Sequence, residues 1–224
     1  LPRPSVDYQS ALADSRPFSR WAARNVAAHK RTGYAIVTLS LKRTGVPPGD
    51  LTADQMDAVA GLADRYSFGE LRVTHEQNLL LADVLQSELR ALWTELRGLG
   101  LATPNIGLLT DIVCCPGGDF CSLANAKSIP IAEAIQRRFD DLDYLHDLGG
   151  IELNMSGCIN ACGHHHVGNI GILGVDKRGE EWYQVSIGGC QGNHTTLGSI
   201  LGPSFAAPEV PRVVRLVRSV VLAV

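Results

Sequence analysis

Tyr34-Ala35-Ile36-Val37-Thr38-Leu39-Ser40-Leu41 sets Ala35, Val37, Leu39 and Leu41 on one face at a period of two, the pattern of a half-buried strand. Downstream, Val46-Pro47-Pro48-Gly49-Asp50 reads as a turn. Thr52 and Gln55 have capping-box spacing ahead of Met56, Val59, Ala60 and Ala63, which predicts a helix to about Arg65. A strand over Glu70–Thr74 follows, then an apolar stretch from Asn78 to Ala82. Leu85, Leu89, Leu92, Trp93 and Leu96 recur at helical spacing until Gly98 and Gly100. The order β-α-β-β-α, closed by a strand near Ile106–Val113, is that of a ferredoxin-like split βαβ plait, a name for topology that implies no cluster. The expected fold class is α+β, with a junction in Ala102–Leu109.

The composition is that of a folded protein. The chain has 224 residues, 45% of them hydrophobic, and 20 Lys plus Arg against 23 Asp plus Glu leave a net charge of −3. That balance offers no broad basic surface, so a nucleic-acid partner is not expected. No apolar run approaches the roughly 18 residues that span a bilayer, so no membrane partner is expected either. The first 24 residues carry acidic residues and several Arg with no apolar core, unlike a secretory signal. The expected location is cytoplasmic. The start Leu1-Pro2-Arg3-Pro4 and the apolar end Val220-Val221-Leu222-Ala223-Val224 suggest a piece of a longer chain.

The second half carries all six cysteines, at 114, 115, 121, 158, 162 and 190. Cys115-Pro116-Gly117-Gly118-Asp119-Phe120-Cys121 precedes a helix expected over roughly Ser122–Phe139, with a kink at Pro130. Ile151–Met155 reads as a strand running into Gly157-Cys158-Ile159-Asn160-Ala161-Cys162-Gly163. Ile170–Val175 and Trp182–Ile187 are further strand candidates. Arg212, Arg215 and Arg218 fall opposite Val213, Val217, Val220 and Val221 on a terminal amphipathic helix.

In a reducing compartment, thiols are more often ligands than disulfides. C-x5-C at 115/121 and C-x3-C at 158/162 supply four thiolates from two glycine-flanked loops, enough to enclose a tetrahedral ion or an iron–sulfur cube. Three readings stand at this point: a 4Fe–4S cluster, a structural zinc site, or inert and redox-active thiols. The 115/121 spacing is wide for zinc. Cys114 and Cys190 read as packing residues. His164-His165-His166 offers imidazoles directly behind Cys162, but consecutive side chains point different ways.

Cys-x5-Cys followed by Ser122-Leu123-Ala124, then Gly157-Cys158-x-Asn160-x-Cys162-Gly163, resembles the sirohaem and 4Fe–4S half of assimilatory sulfite and nitrite reductases. Gly69-Glu70-Leu71-Arg72-Val73-Thr74-His75-Glu76-Gln77-Asn78 looks like the second ferredoxin-like half-domain of that family, and Gly188-Gly189 stands where the family has a Gly-Gly step. The resemblance covers about residues 18–220 and is greatest to the sulfite reductase haemoprotein, or beta component. It implies a ferredoxin-like half-domain over 1–103 and a sirohaem and 4Fe–4S binding domain over 104–224.

By that resemblance Cys115, Cys121, Cys158 and Cys162 bind the cluster, and Cys162 is also the axial ligand of the sirohaem iron. The activity implied for the parent is that of an oxidoreductase taking sulfite to sulfide with six electrons, or nitrite to ammonia. Its partners would be a ferredoxin or flavoprotein electron donor and an N-terminal half that supplies cationic groups around the substrate. The piece alone is expected to be inactive. Roles for Arg72, His75 and Asn78 do not follow from the resemblance, nor do roles for the three histidines. A stand-alone 4Fe–4S electron-transfer module and a zinc-bound structural fragment are the rival readings.

Overall fold

The computed structural model describes residues 6–221, with side chains over 8–216. The chain forms two compact units, residues 6–43 with 49–106 and residues 44–48 with 107–221. The division falls between Ile106 and Gly107, and the short segment Thr44–Pro48 joins the second unit. The Thr44 hydroxyl donates to Asp140 at 2.6 Å there.

In the first unit, helices α1 (Val6–Asp14) and α2 (Arg16–Asn25) lead into strand β1 (Val26–Ala28). Strand β2 is Tyr34–Leu39, with Ala35, Val37 and Leu39 buried in alternation as the period of two predicts. Thr52 and Gln55 do close a capping box on helix α3 (Ala53–Tyr66). Its buried face is Val59, Leu62 and Ala63, whereas Met56 and Ala60 are exposed, so the expected face was turned slightly out of phase. Strand β3 shrinks to Arg72–Val73, and β4 runs Leu79–Leu85. Leu85 ends that strand instead of starting the next helix, α4, which spans Leu89–Gly98 after a short 3-10 turn.

The sheet order is β1-β2-β4-β3, all antiparallel. Strands β2 and β3 both run against β4 between them, and α3 joins them, which is the split βαβ arrangement. The closing strand expected near Ile106–Val113 does not form. The edge beside β2 is taken by β1, from the other end of the unit. Phe18, Trp21 and Trp93 anchor the core between helices and sheet, with ring centroids 5.4–5.7 Å apart for the Phe18 pairs.

The second unit holds β5 (Val113–Cys114), α5 (Ile129–Arg138), α6 (Leu142–Leu148), β6 (Leu153–Ser156), β7 (Ile170–Lys177), β8 (Glu180–Ile187), β9 (Ser199–Ile200), β10 (Phe205–Ala206) and α7 (Val210–Val221). Pro130 sits in the first turn of α5, where its missing N–H costs nothing, so it starts the helix and does not kink it. Residues 122–128 form an irregular loop, with Lys127 bridged to Gly117. The sheet order is β10-β8-β7-β6-β5, with β9 also on β8. Strands β5, β6 and β7 are parallel, and β7 and β8 form an antiparallel hairpin turned by Arg178 and Gly179, both at positive φ. Helix α7 buries Val210 and Val214, with Val213 half-buried and Arg212 and Arg215 exposed. The side chains of Val217, Arg218, Val220 and Val221, and the chain ends at 1–5 and 222–224, lie outside the described residues.

Candidate functional site

Parallel strands carry whatever leaves their C-terminal ends to one edge of the sheet. Strands β5 and β6 pair with Val113 opposite Asn154 and Cys114 opposite Met155. Cys115 therefore starts its loop beside the end of β6, and Cys158 starts its own two residues past that end. The backbone stitches the loops together: Cys115 N–H donates to Met155 O at 3.1 Å, and the N–H groups of Asn125 and Ala126 both donate to Gly157 O, at 2.8 and 3.1 Å.

Glycines make that approach possible. A Cβ on Gly157 would stand 2.7 Å from both Gly117 Cα and Ala126 O. One on Gly163 would stand 1.9 Å from Met155 O. Gly117 has φ +59 and a Cβ there would meet Ser128 at 2.5 Å, so two constraints exclude a side chain.

Within this edge, the sulfurs differ in environment. Cys115 and Cys158 are buried, Cys121 is half-buried and Cys162 is exposed. Cys115 Sγ accepts the Gly157 N–H at 3.1 Å and lies 3.7 Å from Ser128 Oγ. Among the described residues no hydrogen bond reaches the sulfurs of Cys121, Cys158 or Cys162. None of the six cysteines is in a disulfide. Cys114 and Cys190 turn their thiols to carbonyls, of Cys115 and Gln191 respectively.

Four thiols on two loops whose backbones touch match an iron–sulfur cluster in donor chemistry. Among the described residues, no three His, Cys, Asp or Glu side chains gather as the ligands of one metal ion.

Two of the three histidines stay together, the His165 and His166 ring centroids lying 3.9 Å apart. His164 takes a left-handed backbone (φ 55), His165 turns inward to 3% exposure, and His166 stays outside. Burial, and then the neighbouring His166, push the His165 imidazole down to about 4, so it is neutral near pH 7. Its Nδ1 is buried without a hydrogen bond. In the first unit, the exposed Arg72 pairs with the exposed Glu70, and the exposed His75 with the half-buried Glu76 at 2.7 Å. Asn78 is buried, its Oδ1 accepting the Leu41 N–H at 3.0 Å.

Ser128 escaped the sequence reading because a helix drawn through 122–139 hid it in mid-helix. The signal was present: a serine two residues before a proline marks a helix start.

Residues 38–99 match the nitrite/sulfite reductase ferredoxin-like half domain, and residues 107–222 match the nitrite and sulphite reductase 4Fe-4S domain. The chain belongs to the nitrite and sulfite reductase family. Ferredoxin–nitrite reductase of Arabidopsis thaliana is 32% identical over 85% of this chain and 33% of its own length. The assimilatory-type sulfite reductase of Nitratidesulfovibrio vulgaris is 28% identical over 81% of this chain and 77% of its own. The NirA protein of Mycobacterium tuberculosis superposes with a TM-score of 0.69 at 27% identity, over 88% of this chain and 37% of that one. The chain thus spans about a third of the plant nitrite reductases it matches. Among the described residues no helix is long and apolar enough to cross a membrane.

Proposed function

We propose that Cys115, Cys121, Cys158 and Cys162 would hold a 4Fe–4S cluster, that Cys162 would also ligate a sirohaem iron, and that the longer parent protein reduces sulfite to sulfide with six electrons. The observation that carries the reading is the β5–β6 register, which delivers both cysteine loops to one edge and lets the Gly157 N–H reach Cys115 Sγ. When bound, the two groups supply one-electron steps and an open metal position for a small oxyanion.

The chain's own residues hold and tune such a centre. The Gly117–Gly157 contact fixes the spacing of the loops. Burial of Cys115 and Cys158 keeps water from two of the thiolates. Exposure leaves the Cys162 sulfur open to a second group from outside the loop. His165, neutral and turned inward just beyond Cys162, adds no positive charge near those thiolates.

Nitrite is the second reading, because the plant ferredoxin–nitrite reductases are 29–32% identical to this chain against 28% for the sulfite reductase. Their name also favours ferredoxin as the donor over a flavoprotein subunit. Iron, acid-labile sulfide, zinc and the absorption spectrum of anaerobically prepared protein test the cofactor reading. Four iron and four sulfide with a Soret band and a fifth iron are expected. Zinc without iron after reconstitution would remove it. Sulfide and ammonia yields from sulfite and nitrite, with reduced ferredoxin as donor, separate the two substrates.

A further inference from the structure

Ser128 occupies the N-cap position of α5, where a serine hydroxyl ordinarily accepts a backbone N–H of the first turn. Here it makes no such bond. The residue is fully buried, and the partner of its hydroxyl among the described residues is Cys115 Sγ at 3.7 Å. A buried hydroxyl without a partner is costly, so this contact is the one that satisfies it. A metal-bound thiolate carries no proton, which leaves the serine as the only possible donor of the pair.

Cys115 thus faces two donors, the Gly157 N–H and the Ser128 O–H, while the sulfurs of Cys121, Cys158 and Cys162 face none among the described residues. Hydrogen bonds to cysteine sulfur draw off negative charge and favour the reduced, more negative state of a cluster. Resting on the ligand set proposed above, we infer that Ser128 is a positioning residue for the centre: its hydroxyl donates to the Cys115 thiolate and raises the cluster's reduction potential.

The full chain is reconstituted anaerobically with ferrous iron and sulfide, and the cluster potential is read by electron paramagnetic resonance in a dithionite titration. Ser128→Ala is expected to keep its iron and sulfide yet lower the reduced-to-oxidised ratio at fixed poise about tenfold, equivalent to about 59 mV for one electron. Ser122→Ala, at an exposed position of the same β5–α5 loop, is expected to leave the ratio unchanged. The wild-type Fe–S(Cys) stretching bands should also shift in D2O, and that shift should weaken in Ser128→Ala.

An unchanged ratio in a loaded Ser128→Ala chain overturns the inference while leaving the cluster in place. A wild-type chain that takes up no cluster overturns the ligand set itself, which is a different failure. If Ser128→Ala alone stays empty, Ser128→Thr decides. A loaded Thr variant with the wild-type potential shows that the hydroxyl is what matters, and an empty one assigns the role to packing and overturns the inference.

Discussion

Cys114 and Met155 stand opposite one another in the parallel β5–β6 pair. The relationship joins residues about forty apart in sequence and sets the geometry of everything downstream. Because of it, the loops beginning at Cys115 and Cys158 leave one edge together, and Gly157 can meet both Gly117 and the Cys115 sulfur.

Gly157→Ala and Gly163→Ala should therefore damage the site through backbone overlap. Their added Cβ atoms would stand 2.7 Å and 1.9 Å from backbone atoms, and backbone cannot swing aside as a flexible side chain can. Each should cost about 1–3 kcal/mol, the usual range for overpacking, with Gly163→Ala the worse. Gly98→Ala makes the control, since a Cβ there meets nothing within 4 Å and it lies in α4, where alanine is the better helix former by about 1 kcal/mol. Urea unfolding of the three variants should rank Gly163→Ala and Gly157→Ala below the wild type and Gly98→Ala at or above it.

The cysteines should sort into two sets. Alanine at Cys115, Cys121, Cys158 or Cys162 should lower the iron retained after anaerobic reconstitution. Cys114→Ala and Cys190→Ala should retain it, because their thiols point to the carbonyls of Cys115 and Gln191. Iron and sulfide per chain decide this, and full loading of any of the first four variants would remove that residue from the ligand set.

Thr52→Ala probes the first unit alone. It deletes the bond from Gln55 N–H to Thr52 Oγ1, at 3.2 Å, and leaves the reciprocal Gln55 contact without its counterpart. A loss of about 1 kcal/mol is expected in thermal unfolding, with no change in the iron the chain retains.

What the sequence showed in advance was local. The alternation through Ala35, Val37 and Leu39 and the Thr52–Gln55 box each depend on neighbours within a few residues, and both were legible. Strand β1 was not, because Val26-Ala27-Ala28 is too short for a period and faces outward over two of its three residues. The strand pattern placed near Ile106–Val113 failed for the complementary reason. Those residues are apolar because Leu108, Leu109 and Ile112 fill the core of the second unit, not because they pair in the first sheet. Cysteine spacing pointed to a four-thiol site, but the meeting of the two loops depends on a strand register that no local pattern encodes. Ser128 was hidden by a helix boundary set seven residues early, at Ser122 instead of Ile129.

His165 ties acid sensitivity to the loop behind Cys162. Its folded-state value is depressed to about 4 from the ordinary 6.5, first by burial and then by His166. Between those two values the unfolded chain binds a proton that the folded chain refuses, so stability is complete above pH 6.5 and drains away as pH falls toward 4. The full loss is about 3 kcal/mol, at roughly 1.4 kcal/mol for each tenfold change in proton affinity. His165→Gln carries no titrating ring. In paired urea titrations at pH 7.5 and pH 5, the wild type should therefore lose more stability than the variant does. The difference should be measured on the cluster-free chain, so that ligand protonation at a metal does not enter. Equal losses in the two proteins would mean that His165 takes up its proton in the folded state as readily as in the unfolded one.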